Sequence, residues 1–293
     1  MDSNEYKTGY KLFLLQNIQQ GHEYIICASL MPGNQDERPM LLRMVEKAIS
    51  ILGKDAIKLL LIDRGYLDAA ALYKLKHSYG IDFIIPGEER LHAIQDAIAL
   101  TKLAKHQFVE MKKGVFVAGC PDIGSYSSYG DEKGNRGTIN VLLVKDHNTN
   151  YTDDPDRIFS YLTSLPMKLG AKKLEDLQAL YDIYRAYKKR WVIENNAFKE
   201  LSEHWNLTKK PGGKFNTICC HLYFTLAAYN LVLLFKSSYG SRFVSMSLST
   251  FREKALKTAD MVIVYAGELF AVFPLTEFMK LVKTGPPLVG PIE

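Results

Sequence analysis

Cysteine and closely spaced metal ligands are scarce in this sequence. Its 293 residues include four cysteines and seven histidines. The cysteines have neither the spacing of a metal site nor the density of a disulfide framework, which favours a reducing interior. No two histidines stand at an H-x-x-x-H spacing, so a zinc site of that kind is not predicted. The cysteines are Cys27, Cys120, Cys219 and Cys220.

A secretory signal and an uninterrupted membrane span are also missing. The first residues, MDSNEYKTGYK, are polar, unlike a signal peptide. The most apolar run, FNTICCHLYFTLAAYNLVLLF at 215–235, is interrupted by polar residues such as Asn216, His221 and Asn230. Because polar side chains at this density do not suit a lipid-facing helix, we predict a buried core helix, no membrane partner and a cytoplasmic protein.

The sequence has little excess of charge of either sign. Its 37 Lys and Arg against 32 Asp and Glu give +5 at pH 7, and 47% of the residues are apolar. This balance permits a polyanionic partner without proving one. The stretch GDEKGNRG lacks the Gly-Lys-Ser/Thr ending of a phosphate loop, so a nucleotide site of that type is not predicted. We predict no small-molecule substrate.

The first part of the chain has the pattern of an α/β protein. Two β-rich runs, Tyr10–Gln16 and 23–30, predict an antiparallel hairpin, and a helical pattern that stops at Gly53 follows. The aliphatic run at 57–62 and the run Asp82–Pro86 predict short buried strands with a helix between them. Strand, helix and strand in this order form a crossover unit, so part of the sheet is predicted to be parallel.

The later part of the chain changes from β-rich to helical. Short β-like pieces occupy about 87–165, and helical spacing begins near Leu174. We predict one domain over residues 1–239, with the β-rich segment as an insertion. Residues 240–293 are predicted to form a tail that packs on it.

Asp63 stands at the carboxyl end of a predicted buried strand, in LLLIDRGY. In open α/β sheets, ligands and catalytic groups gather beyond the carboxyl ends of the strands. Two structural alternatives stay open at this point: Asp63 caps the turn into the next helix, or it pairs with Arg64.

A second carboxylate, Glu194, lies in the stretch YRAYKKRWVIENNAFKELSEHW at 184–205, which has helical spacing. On an ideal helix, Tyr187, Arg190 and Glu194 share one narrow face. A surface pair between Arg190 and Glu194 explains the charges but not the neighbouring aromatic residues. Lys188 and Lys189 point elsewhere and are predicted to form a solvated or phosphate-facing edge.

One chemical scheme accounts for both carboxylates and the basic residues. Two-metal phosphoryl-transfer enzymes hold two divalent ions with carboxylates from separate elements, and Mg²⁺ prefers oxygen ligands. The segment DRGY after an aliphatic strand resembles the second catalytic Asp segment of DDE transposases from bacterial insertion sequences. Tyr187, Arg190 and Glu194 match that family's signature of Tyr, two residues, Arg, three residues and Glu.

The resemblance implies a ribonuclease H-like mixed sheet with flanking helices. It implies that Asp63 and Glu194 bind two Mg²⁺ or Mn²⁺ ions, and that Tyr187 and Arg190 position the terminal nucleotides or the Glu itself. The implied partner is double-stranded DNA, at transposon ends and at the target, in association with the bacterial nucleoid. The implied reaction is hydrolysis of a strand at the transposon end, followed by transfer of the 3′-OH into target DNA. An assembly of several copies is a further expectation.

Two departures from the family pattern qualify this hypothesis. The family places a Lys seven residues after the Glu, where this sequence has Leu201; either Lys199 substitutes or that DNA contact is absent. The family's first catalytic Asp lies on a strand ahead of the GYKL segment, and the sole aspartate before Gly9 is Asp2. We therefore expect an N-terminally truncated, catalytically incomplete transposase. The alternatives are a standalone nuclease and an inactive remnant that binds DNA or a full-length transposase.

Overall fold

The computed structural model describes residues 9–19, 23–103, 107–148, 154, 157–168, 170–171, 173–191, 193–209, 211–238, 246–251, 261–266, 269–274 and 280. At positions 194–196, 249, 261–266 and 269–274 it describes the backbone alone. The chain forms two compact units. The first comprises Met1–Ile18 and Ile25–Asn196, and the second comprises Gln19–Tyr24 and Ala197–Glu293.

The first unit begins with the predicted hairpin and helix. Strand β1 (Tyr10–Gln16) pairs antiparallel with β2 (Ile25–Pro32), and α1 (Met40–Leu52) packs against the hairpin. The apolar residues of α1 recur at helical spacing, which lets one face of the helix cover the strands. Gly53 ends the helix with a positive φ of 90° and donates its N–H to the carbonyl of Ile49, a conformation that glycine adopts without a Cβ clash. Both sequence predictions are confirmed.

A mixed sheet forms the centre of the first unit. In the described part of the chain it has six strands in the order β3-β4-β8-β7-β6-β5. Strands β3 and β4 are parallel, as the crossover pattern predicts, and every other neighbouring pair is antiparallel. The strands are β3 (Leu59–Leu61), β4 (Asp82–Pro86), β5 (Val109–Lys112), β6 (Val115–Ile123), β7 (Ile139–Asp146) and β8 (Phe159–Thr163).

Helices cover both faces of this sheet. Helices α2 (Ala69–His77) and α3 (His92–Leu100) pack on one face, and α4 (Leu174–Lys188) packs on the other. Strand β4 shows why both faces are apolar: Phe83 and Ile85 belong to the first core, whereas Ile84 belongs to the second. Alternate residues of a strand point to opposite faces, so a strand buried on both sides needs a continuous apolar run.

The β-rich segment extends the central sheet, since β8 pairs directly with β4 through Ile84 opposite Thr163. The mixed sheet with flanking helices that the sequence predicts is confirmed. The domain boundary at residue 239 stays a prediction.

The described residues of the signature stretch are largely helical, as their spacing predicts, but they do not form one continuous α-helix. Helix α4 ends at Lys188, and the next backbone bonds are short-range, from the N–H of Arg190 to the carbonyl of Tyr187 and from Ile193 to Arg190. A π-helix, Ile193–Phe198, follows. No proline or glycine marks the break in the sequence. Such π-helical turns inside helices occur often at functional sites.

The second unit contains α5 (Lys199–His204), α6 (Phe215–Ser238), α7 (Leu248–Phe251) and the hairpin of β9 (Met261–Ala266) with β10 (Leu269–Pro274). The prediction of a buried core helix at α6 is wrong for most of its surface. Phe224 and Leu231 are exposed, and 28% of its most apolar window is buried. By length and composition, α6 is the one described helix that could cross a membrane, but one such helix is a weak indication.

Candidate active site

A cleft of about 690 Å³ opens in the first unit beyond the carboxyl ends of β3 and β4. Because these strands are parallel, their carboxyl ends meet at one edge of the sheet, where α/β proteins place ligand sites. The residues after β3 supply one wall, the loop after β4 a second, and the end of α4 a third. Three residues of the predicted site line the cleft together: Asp63, Tyr187 and Arg190.

Asp63 follows β3 and begins a single 3₁₀ turn, Arg64–Tyr66. Its Oδ1 accepts a hydrogen bond of 2.8 Å from the backbone N–H of Arg64. Asp63 therefore does cap the turn, as the first structural alternative proposed. Capping uses one oxygen of the carboxylate, and the side chain remains 57% exposed. Asp63 is thus held in a fixed orientation and still faces the cleft.

Tyr187 and Arg190 reach the same turn from the opposite side. The hydroxyl of Tyr187, which is buried, donates to the carbonyl of Ile62 at 3.4 Å. The guanidinium of Arg190 lies over the Tyr187 ring at 5.6 Å, and its Nη1 lies 3.9 Å from Oδ1 of Asp63. Because the Arg190 side chain is only 15% exposed, solvent screens this ion pair less than a surface pair. Two signature residues are therefore in contact with the Asp63 turn.

The predicted carboxylate Glu194 cannot be placed in the same way. Glu194 lies in the π-helix, and its side chain lies outside the described residues. Its predicted approach to Asp63 therefore stays a prediction. Asp2 also lies outside the described residues.

The predicted basic edge divides into lysines with different surroundings. Lys188 donates to Oδ2 of Asp146 at 2.7 Å and lies over the Tyr184 ring at 4.6 Å. Lys189 is exposed at the end of α4. Lys199 is exposed at the start of α5 in the second unit.

Leu201, which occupies the family's Lys position, is fully buried in the described structure. Its apolar side chain serves packing, so this position makes no charged contact with DNA.

The family to which the chain is similar was identified over a range that includes these cleft residues. The Transposase DDE domain family matches residues 1–231. The chain belongs to this family. The match covers the hairpin, the central sheet and the signature stretch. No curated protein sequence matches the chain.

Because it belongs to this family, the chain is a DDE transposase, a class of protein associated with DNA transposition. DDE transposases generally act on DNA and generally use divalent metal ions. Asp63 suits such an ion, because hard cations prefer oxygen ligands. Its carboxylate is more than half exposed and lines the cleft. Among the described side chains, no three His, Cys, Asp or Glu residues stand close enough to hold an ion.

Sequence reasoning missed several charged residues of the cleft. Arg90 and Glu88 come from the loop after β4, and Arg157 comes from the chain just before β8. Their signal in the sequence is weak: each stands within four residues of a β-rich run, as many surface residues do. The strand pairing of β4 with β8 is what brings them to one cleft.

Proposed function

We propose that this transposase performs metal-dependent hydrolysis of a phosphodiester bond at a transposon end, followed by transfer of the 3′-OH into target DNA. Asp63 and Glu194 are the proposed metal ligands. The observation that carries the proposal is the contact of Arg190, from the Tyr–Arg–Glu signature, with Asp63 at 3.9 Å. Two sequence motifs far apart in the chain meet at one edge of the sheet, where one substrate can touch both.

Asp63 and Glu194 would hold Mg²⁺ or Mn²⁺ through oxygen atoms. When bound, two such ions activate the attacking oxygen and stabilise the leaving one. The protein contributes the orientation of these carboxylates. The bond from the Arg64 N–H fixes Asp63, and the contact of Tyr187 with the Ile62 carbonyl holds the turn on which Asp63 stands.

The cleft surroundings suit a phosphate backbone. Arg64, Arg90, Arg157 and Arg190 line the cleft beside Asp63. Arginine binds phosphate with up to two parallel hydrogen bonds, and contacts of this kind fix the register of DNA without reading its sequence. Arg190 and Tyr187 are the proposed contacts to the terminal nucleotides. Lys189 and Lys199 are the proposed outer phosphate contacts, and Lys188, whose ammonium group is bound to Asp146, is the weaker candidate.

The test is cleavage of a supercoiled plasmid with and without MgCl₂ or MnCl₂. Asp63→Asn and Glu194→Gln are the site variants, and Asp96→Asn, an exposed residue of α3 outside the cleft, is the matched control. We expect metal-dependent nicking by the parent and by the control, and none by the site variants. Nicking that survives Glu194→Gln removes Glu194 from the proposed site.

A second candidate is a protein that binds DNA without cutting it. The ion pair between Arg190 and Asp63 favours it, because the carboxylate already has a cationic partner. The same preparation decides between the two: salt-sensitive DNA binding without nicking in either metal supports this candidate. Nicking without any joined product supports a nuclease.

A further inference from the structure

A buried carboxylate, Asp146, lies at the carboxyl end of β7. Its side chain is 2% exposed. It accepts hydrogen bonds from the Tyr184 hydroxyl at 2.5 Å, from Nζ of Lys188 at 2.7 Å and from the backbone N–H of Asn148 at 3.0 Å. Burial by itself would raise the pKa of Asp146, but these donors hold it below its ordinary value. A buried charge with this set of partners is fixed in one geometry.

The direction of the strands places Asp146 at the edge of the sheet that carries the cleft. Strand β4 runs antiparallel to β8, and β8 runs antiparallel to β7. Strand β7 therefore runs in the same direction as β3 and β4, and its carboxyl end shares their edge. Two of the hydrogen-bond donors to Asp146, Tyr184 and Lys188, are themselves lining residues of the cleft.

The two donors lie one turn apart at the end of α4, which leads directly to Arg190. The ring of Tyr161, from β8, contacts Tyr184 at 6.0 Å and Tyr187 at 4.9 Å between centroids. Arg190 stands on the Tyr187 ring and reaches Asp63. Regular α-helix stops at Lys188, and Lys189 and Arg190 form a turn ahead of the π-helix that begins at Ile193. Because Arg190 stands two residues beyond α4, contacts that hold the end of this helix also help to hold Arg190.

We propose that Asp146 is a positioning residue, which locks the end of α4 through Lys188 and Tyr184 and thereby holds Arg190 beside Asp63. This inference rests on the proposed function, because it assigns Asp146 a part in the same site. It also gives Lys188 a different principal role, since its ammonium group is bound to a buried carboxylate. Lys188 then acts as an anchor of the helix end, and phosphate contact falls to Arg190 and Lys189.

The test is a double-variant cycle on the full chain. Asp146→Asn, Arg190→Ala and the combination are compared for binding to a fluorescein-labelled DNA duplex of mixed sequence at low salt. We expect Asp146→Asn to weaken binding about tenfold, as the loss of an orienting partner commonly does. We expect the combination to be no weaker than Arg190→Ala alone, because two residues that act through one contact are not additive. Effects that multiply, or unchanged binding by Asp146→Asn, overturn the proposal.

A matched control separates positioning from general stability. Asp82, at the opposite end of the sheet, is also bound by a lysine and a hydroxyl, Lys76 at 2.6 Å and Ser164 at 2.7 Å. Asp82→Asn removes a comparable but more exposed ion pair outside the cleft. We expect it to lower thermal stability and leave DNA affinity unchanged. Equal losses of DNA affinity in Asp82→Asn and Asp146→Asn would show that Asp146 is merely structural.

A fluorescence measurement tests the positioning without DNA. The chain has two tryptophans, so Trp205→Phe leaves Trp191, next to Arg190, as the sole reporter. In that background we expect Asp146→Asn to shift the emission of Trp191, and Asp82→Asn to leave it unchanged. Unchanged emission in both overturns the proposal. If Arg190→Ala binds DNA as the parent does, the proposed function is wrong at Arg190, and the Trp191 emission alone decides whether Asp146 positions this segment.

Discussion

The guanidinium Nη1 of Arg190 lies 3.9 Å from Oδ1 of Asp63, and this pair joins the turn after β3 to the chain just beyond α4. The arginine is mostly buried, whereas the carboxylate faces the cleft. Asp63 is therefore an oxygen donor with a cation on one side and open approach on the other. A divalent ion and Arg190 would be attracted to the same carboxylate and would repel each other.

The first prediction concerns metal binding by Asp63. Asp63→Asn should weaken Mn²⁺ binding about tenfold or more, because a neutral amide replaces a charged ligand. Its side-chain oxygen can still cap the Arg64 N–H, so the fold should persist. The measurement is calorimetric titration with MnCl₂, with Asp96→Asn as the control. Equal affinity in Asp63→Asn and the control would show that Asp63 is not a ligand.

The second prediction is that Arg190→Ala changes the affinity for metal and the affinity for DNA in opposite directions. Arg190→Ala should strengthen Mn²⁺ binding by up to about tenfold, since roughly 1.4 kcal/mol of repulsion is relieved for charges about 6 Å apart in water. The same variant should weaken DNA binding, because a phosphate contact is lost. Titration calorimetry and fluorescence anisotropy measure the two effects. A loss of both affinities together would instead indicate that Arg190 supports the shape of the Asp63 turn.

The third prediction distinguishes the two adjacent lysines. Lys189→Ala should reduce the slope of log affinity against log salt by about one phosphate contact, because Lys189 is exposed. Lys188→Gln should leave the slope nearly unchanged, because its charge is compensated by Asp146. The measurement is DNA binding over a range of NaCl concentrations. A larger change for Lys188→Gln would restore Lys188 as a direct phosphate contact.

The sequence predicted the elements that local pattern determines. The run Asp82–Pro86 is a strand with the predicted bounds, and the Asp63 turn follows a strand as expected, although that strand has only three residues, Leu59–Leu61. Helix α3 was missed, because its Ala-rich, short apolar face, with Ala93, Ile94 and Ala97 buried, gives a weak periodic signal next to strong β-rich runs.

The features that sequence could not predict depend on tertiary contacts. The end of α4 carries no proline, glycine or capping signal, so its change into a π-helix has no local cause in the sequence. Asp146 follows the aliphatic run INVLLV much as Asp63 follows LLLI. Only the order and direction of β7, β8 and β4 show that both aspartates lie at one edge of the sheet.

The fourth prediction is that removing Lys188 lowers the stability of the protein more than removing its partner, the buried Asp146. Lys188→Met should lower the free energy of unfolding by about 1–3 kcal/mol, because it leaves the buried carboxylate of Asp146 without its cation. Asp146→Asn should cost less, because Lys188 is 47% exposed and water can solvate it. Urea denaturation measures both, and Lys76→Met beside the more exposed Asp82 is the matched control. Equal losses for the two partners would contradict the burial argument.

The last prediction is the pH dependence of that pair. Burial would raise the pKa of Asp146, but hydrogen bonds from Lys188 and Tyr184 hold it below its ordinary value in the folded protein. A carboxyl group with a lowered folded pKa contributes stability that is complete above its unfolded pKa, about 3.9, and is lost as the pH falls through the folded value. The stability difference between the parent and Asp146→Asn should therefore be constant near neutral pH and shrink below about pH 4. Urea midpoints across this acidic range measure it, and a difference that stays constant would show that the charge of Asp146 contributes nothing to the helix end.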